Sequence, residues 1–328
     1  MNILKQAVAA ATLAAGLALP GHAVSTTGPL WVPTKPIKLI LGYTPGGAAD
    51  ATAREIAGVM EKILGQPMVV DYRPGAAGSI GAEAVANAAP DGYTVGLIDS
   101  APLTIIPTTR KVPYDPVTGF AYVGVVAQSP LVILVNPTLP VRTLPELIQL
   151  ARKKPGSLSF STSGLGSIHQ MSAELLKAET GTFMTHVPYR GAAPALNDLM
   201  GGQVEVSFAT IAPAIPIVQS GRARAIAVTS DREVPSFPGV RPVSQQGVPG
   251  YDAQGWFVMA LPKGTPQPVI ERLNAALNET VNTPAVKDKL VGFGNDISAS
   301  TPNAASLLVK RDFEKWARVV RVQQLKFE

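Results

Sequence analysis

The sequence predicts an α/β chain of two domains, each a mixed sheet flanked by helices, with a ligand cleft between them. Strand-like apolar runs alternate with helical patterns from about residue 37 onward, the pattern of a parallel or mixed sheet. The length of 328 residues suits two domains of ordinary size. Two long amphipathic helices close the chain and need a sheet to cover. A composition of 46% hydrophobic and 16% charged residues excludes disorder, and 30 Gly with 30 Pro imply many tight turns between short elements.

The first series reads strand Ile37 to Gly42, helix Ala49 to Leu64 with Ile56, Val59, Met60 and Ile63 on one face, strand Met68 to Asp71, helix Ser79 to Ala89 and strand Tyr93 to Asp99. The uncharged stretch Val117 to Val141 contains Pro130, Pro137 and Pro140 and β-branched residues, and reads as two strands rather than a membrane span. The second series continues with strand Leu131 to Val135, helix Leu144 to Lys153, strand Leu158 to Ser161 and helix Ile168 to Glu179. Strand Thr185 to Val187, helix Ala193 to Met200 and strands Val204 to Phe208 and Ala223 to Val228 complete it. After a Pro/Gly-rich stretch come strand Gly255 to Leu261 and helices Gln267 to Val281 and Asn303 to Leu325, the last with Phe313, Trp316 and Val320 on one face. The economical arrangement returns this C-terminal part to the first series. Residues 24–127 and 254–328 then form one discontinuous domain, and 128–253 an inserted one.

Met1 to Ala23 has one charge, Lys5, the uncharged run Ala7 to Leu19, and then Pro20 and small residues. That is the layout of a cleavable secretory signal peptide, so the mature protein is expected to be exported and periplasmic. No Cys is present, which excludes disulfides, thiolate metal sites, a Cys nucleophile and a lipid-anchored N-terminus. Three His (His22, His169, His186) are poor material for a transition-metal site. The net charge of +5 is dispersed, with no basic block longer than Lys153-Lys154, so the footprint of a nucleic-acid binder is missing.

Four glycine loops follow strands and precede helices: Thr44 to Gly47, Arg73 to Ser79, Ser161 to Ser167 and Tyr189 to Ala192. This is the carboxyl edge of the strands, where ligands bind in open α/β sheets, and helix starts there favour anions. Short turns also use glycine for geometry alone. None of the loops is a nucleotide fingerprint: Gly164-Leu165-Gly166 lacks a third glycine, and no Gly-Lys-Ser/Thr follows. Loops rich in backbone donors and hydroxyls suit carboxylates better than pyrophosphate. A hydrolase would have to use Ser167 with His169, but no Gly-x-Ser-x-Gly elbow is present and residues two apart at a helix start point in different directions. Asp50 and Asp99 have no partner fixed by spacing, and Asp50 fits the first turn of its helix, paired with Arg54. Trp256, after the expected hinge, is the tryptophan best placed to touch ligand.

Gly42-Tyr43-Thr44-Pro45-Gly46-Gly47-Ala48-Ala49-Asp50, Asp71-Tyr72-Arg73-Pro74-Gly75-Ala76-Ala77-Gly78, Ala89-Pro90-Asp91-Gly92-Tyr93-Thr94 and Ser163-Gly164-Leu165-Gly166-Ser167-Ile168-His169 together resemble the Bordetella-type uptake receptors, the extracytoplasmic receptors of tripartite tricarboxylate transporters. His186 to Gly191, Gly201 to Val204, Arg224 to Ser230 and Pro249-Gly250-Tyr251 extend the resemblance along essentially the whole mature chain. It implies a type II-like periplasmic binding protein fold that closes on a small organic carboxylate, without chemistry or cofactor, and delivers it to membrane permease subunits. It also implies a monomer, with a sensor kinase as the other destination. Transferred by motif, the ligand-binding set is Tyr43, Thr44, Pro45, Gly46, Gly47, Asp50, Ala76, Ala77, Gly78, Ser100 and Ser129 from one side, with Ser163, Gly164, Gly166, Ser167, His169, Tyr189 and Ala209 from the other. The sequence departs from the family at Ala209, where many members have an acid that could receive an amino group, and at Tyr72, where Asn is common.

Overall fold

A computed structural model describes residues 31–326, so the expected leader Met1–Ala23 lies outside the described residues. The first sheet has the order β2-β1-β3-β10-β4, formed by β1 (Ile37–Leu41), β2 (Met68–Tyr72), β3 (Thr94–Asp99), β4 (Phe120–Ser129) and β10 (Gly255–Pro262). β1 lies parallel to β2 and β3, whereas β10 is antiparallel to both β3 and β4. The second sheet has the order β7-β6-β8-β5-β9, from β5 (Leu131–Val135), β6 (Ser159–Thr162), β7 (Thr185–Pro188), β8 (Val206–Thr210) and β9 (Arg224–Val228). All its strands come from the chain between β4 and β10, so the second sheet is inserted into the first.

Each sheet is covered by helices on both faces, which is why β5 reads as the unbroken run Leu-Val-Ile-Leu-Val and is buried throughout. α1 (Ala48–Leu64) turns Ala53, Ile56, Ala57 and Met60 onto the first sheet, joined by α2 (Ser79–Ala86) and α8 (Gln267–Asn282). α4 (Leu144–Lys153), α5 (Ile168–Thr180) and α6 (Ala192–Gly201) flank the second sheet. The start of α4 is set by a capping box in which Thr143 and Glu146 satisfy each other's backbone. Among the described residues no helix is long and apolar enough to cross a membrane.

The sequence reading missed three helical segments. The chain turns tightly after β3, through a π-helical turn at Ala101–Ile105 and the short α3 (Ile106–Thr109). α7 (Ile211–Gln219) and α9 (Pro284–Gly292) were also unassigned. Pro213 and Pro216 lie within α7, and its apolar residues show no sharp face, so its sequence resembles a connection. The expected strand at Val204 starts at Val206 and extends to Thr210.

α10 (Pro302–Val322) is shared between the domains. Its Ala305, Leu308 and Val309 pack into the core of the first sheet, while Trp316 and Val319 pack into that of the second. Trp316 is fully buried as the sequence suggests, but Phe313 and Val320 are only half-buried, and the inward row is Leu308, Asp312, Trp316 and Val319. The polar member of that row, Asp312, is drawn inward by the Trp256 indole N–H, which donates to its carboxylate at 2.7 Å, with the Lys315 ammonium 2.9 Å from the other oxygen. Lys315 donates onward to the Asp252 carbonyl (2.8 Å), and Arg318 pairs with Glu179 of α5 (2.9 Å). Trp316→Ala should destabilise the protein by about 3–5 kcal/mol through the cavity left in the second core. The check is chemical denaturation, and a loss below about 1 kcal/mol would mean that the end of α10 does not bind that core.

Candidate ligand cleft

The chain passes between the sheets twice. From β4 it enters β5 through the single residue Pro130, and from β9 it returns to β10 through residues 229–254. Above these crossings, between the two domains, lies a cavity of about 420 Å³. The first domain supplies Gly46 and Gly47 before α1 and Asp99 and Ser100 at the end of β3, and the crossings supply Ser129, Pro130, Gly255 and Trp256. The second domain supplies Ile168 at the start of α5 and Thr210, Ile211, Ala212 and Pro213 at the start of α7, while Phe293, Gly294 and Asn295 close one side. A wider depression of about 630 Å³ lies beside the start of α10, but it is lined from the first domain alone. The interdomain cavity, at the carboxyl ends of β1, β3, β6 and β8, is where an α/β fold of this kind binds a ligand.

Two helices begin at this cavity without a side-chain cap. The N-cap of α1 is Gly47, which has no side chain, and the N-cap of α7 is Thr210, whose hydroxyl makes no capping bond. The first amides of both helices lack intrahelical partners and carry the positive end of the helix dipole. Among the described residues, the lining contains no Lys or Arg and one ionisable side chain, Asp99. No group of His, Asp or Glu among the described residues could hold a metal ion.

Of the expected site residues, Gly46, Gly47, Ser100 and Ser129 line the cavity, as does Trp256. The others lie outside this lining. Asp50 turns back on its own loop, accepting from the Gly46 amide (2.9 Å), Arg54 Nε (2.9 Å) and the Tyr72 hydroxyl (2.6 Å). The Tyr72 bond and the Gly46 amide, against the opposing effect of burial, hold its carboxyl below the usual range. Tyr72 therefore braces the Thr44 to Gly47 loop. Thr44, Pro45, Ala76 and Ala77 are exposed outside the lining. Gly78 is buried for packing: a Cβ on Gly42 would come within 2.8 Å of the Gly78 Cα, and one on Gly81 within 2.6 Å of the Gly42 Cα. Those glycines let the start of α2 lie directly on the chain leaving β1. Ala76 and Ala77 have φ of 50° and 52°, a left-handed pair that alanine adopts only under constraint.

The Ser163 to Ser167 loop satisfies itself. Ser167 is the N-cap of α5, its hydroxyl accepting from the Gln170 amide (3.3 Å) and donating to the Gly164 carbonyl (2.7 Å). The Gly166 amide donates to Gln170 Oε1 (2.8 Å). His169 pairs with Ser163 (2.8 Å between Nδ1 and Oγ) rather than with Ser167, and burial pushes it down to about 4, so it is neutral at ordinary pH. Tyr189 donates to Asp198 (2.5 Å), and Ala209 is buried inside β8. The second domain's share of the lining comes instead from α7 and Ile168, neither in the expected set. The N-cap of α7, Thr210, follows directly on Ala209, so the sequence signal stops one residue short of it.

Asp99 carried no site signal in the sequence. The Tyr43 phenol donates to its Oδ2 at 2.7 Å, and its Oδ1 is shut off from solvent. Burial raises Asp99 to about 7, against the lowering effect of Tyr43 and of the Asp99 and Ala101 amides. Burial, together with the Asp99 charge, pushes the Tyr43 phenol well above its ordinary value.

The family model described as tripartite tricarboxylate transporter family receptor matches residues 52–325. The chain belongs to this family. It is 35% identical to Protein BugT of Bordetella pertussis over 291 residues, covering 88% of this chain and 89% of that one. Among solved structures it resembles R. palustris Rpa4515 with adipate, at 32% identity and a TM-score of 0.73, covering 88% of this chain and 97% of that one. It also resembles MatC from Rhodopseudomonas palustris with bound malate, at 28% identity and a TM-score of 0.72, covering 88% and 99%. The architecture is the two-domain fold of periplasmic binding proteins in this receptor family.

Two stability predictions follow from the pairings at the cleft. Ser167→Ala removes an N-cap and should cost about 1 kcal/mol in urea denaturation; a neutral result would mean that its hydroxyl does not hold the start of α5. Asp99, raised from 3.8 to about 7, makes ionisation unfavourable for the fold, so its penalty grows as pH rises from about 4 to about 7 and is complete above that. Asp99→Asn should thus melt several degrees above wild type near pH 8 and close to it near pH 4. An equal difference at both pH values would show that Asp99 titrates normally.

Proposed function

We propose that the chain is a periplasmic receptor that captures a small organic carboxylate by hinge closure and hands it to the membrane permease of a tripartite tricarboxylate-type transporter. The observation that carries this reading is the pair of uncapped helix starts, α1 from one domain and α7 from the other, facing one cavity that contains no Lys or Arg. Backbone amides and the Ser100 hydroxyl then hold the carboxylate, and closure of the inserted domain, 128–253, onto 24–127 and 254–328 brings the α7 amides to it. Relatives of the same fold hold adipate and malate, which supports a carboxylate of that size. The receptor acts as a monomer and does no chemistry on its ligand; the Ser167 hydroxyl that a hydrolase would need is committed to the α5 cap.

A thermal-shift screen of the mature protein against adipate, malate, benzoate and related acids tests the reading. An acid at 100 times its dissociation constant adds about 2.7 kcal/mol to native stability, and the bound protein should show a smaller radius of gyration by X-ray scattering. Affinity should change little between low and physiological salt, because the donors are amides in a water-excluded cleft. If no acid raises the melting temperature, or if affinity collapses with salt, the amide-lined carboxylate site is wrong.

A further inference from the structure

The proposed capture leaves Asp99, the acid in the cavity wall, without a role. It sits at the end of β3 beside Ser100, and Tyr43, from the loop after β1, fixes its Oδ2. Tyr114, from the segment after α3, is the other titratable group that faces it, and Arg110 and Glu83 act on Tyr114 rather than on Asp99. On β10, Phe257 is its register partner and Trp256 its neighbour on the cavity wall. Across the cleft stand Ile168, Thr210 and Ile211, none of which titrates, with His169 behind them buried, neutral and paired with Ser163. Among the described residues no cation acts on the Asp99 carboxylate.

An ionised, unpaired carboxylate in a water-excluded wall repels a carboxylate ligand strongly. The same group as a neutral acid carries no charge to repel it. We propose that Asp99 enters the closed complex as the neutral acid, which lifts its repulsion of the bound carboxylate, so that the receptor takes up one proton from solvent with its ligand. This rests on the carboxylate reading above and assigns that site a pH dependence and a specificity residue. With Asp99 of the free protein titrating at about 7, the proton is already present below that pH and affinity is flat. Above it, each pH unit weakens binding about tenfold, because each complex must draw its proton from a more dilute supply.

Titration calorimetry of the mature chain tests this with adipate, malate and benzoate as probes, from about pH 6 to about pH 9, in buffers of different ionisation enthalpy. For an acid that binds, affinity should hold to about pH 7 and then fall about tenfold per unit, with close to one proton taken up per complex near pH 8.5. Asp99→Asn keeps a neutral group of the same shape at the position. It should bind with no proton uptake and no such pH dependence, and tighter than wild type by about tenfold or more near pH 8.5. Wild-type binding that is independent of pH and without proton uptake overturns the proposal, and this arm needs no variant to fold. Loss of affinity in Asp99→Asn at every pH also overturns it, and shows instead an ionised Asp99 gripping a hydroxyl or ammonium of the ligand. If none of the three acids binds wild type or variant at any pH, the carboxylate reading itself fails and the proposal falls with it.

Discussion

The structure depends on how β4 and β10 leave the first sheet. They pair antiparallel along their whole length, from Gly255 opposite Ser129 to Pro262 opposite Phe120, and both lead at one end into the second domain. Only Pro130 separates β4 from β5, and proline, having no N–H, cannot continue the ladder from one sheet into the next. Two sheets joined this closely at one end must face each other across a gap. The residues at the joint, Ser129, Pro130, Gly255 and Trp256, are therefore also part of the wall of the interdomain cavity.

Within that gap the protein relies on geometry more than on charge. The carboxyl ends of parallel strands deliver helix starts to the same place from both domains, so amides are brought together without a basic side chain. Around them a supporting layer holds the loops still: Tyr72, Asp50 and Arg54 behind the Gly46 turn, and the packed backbones of Gly42, Gly78 and Gly81 behind the Arg73 to Ser79 loop. A site made of neutral donors is sensitive to any buried acid in its wall, which is why the state of one carboxyl matters here more than it would beside an arginine.

Most of the fold was legible because apolar runs such as Ile37 to Leu41 and Leu131 to Val135 are bounded by Pro, Gly and polar residues, and the register of burial follows from the runs themselves. α7 was not legible because its prolines and evenly apolar sequence hide the helical period, and with it went the second domain's main share of the cavity. The glycine loops were visible, but what each glycine does is decided by chain segments far away. Gly42 must lack a side chain because the Gly78 backbone lies against it, and Ser167 is spent on its own helix. Asp99 could not be singled out, since its character depends on a phenol 56 residues earlier and on burial that only the assembled domain creates.

α10 gives the molecule a third tie besides the two crossings, anchored by Leu308 and Val309 in one core and by Trp316 and Val319 in the other. It lies across the joint like a leaf spring, and the proposed closure must flex it or slide one of its ends. Apparent affinity is the intrinsic affinity discounted by the work of reaching the binding shape. Under the proposed closure, the compliance of this helix sets ligand affinity from outside the cavity, so that a change in its outer turns retunes the receptor while every atom of the cavity stays in place.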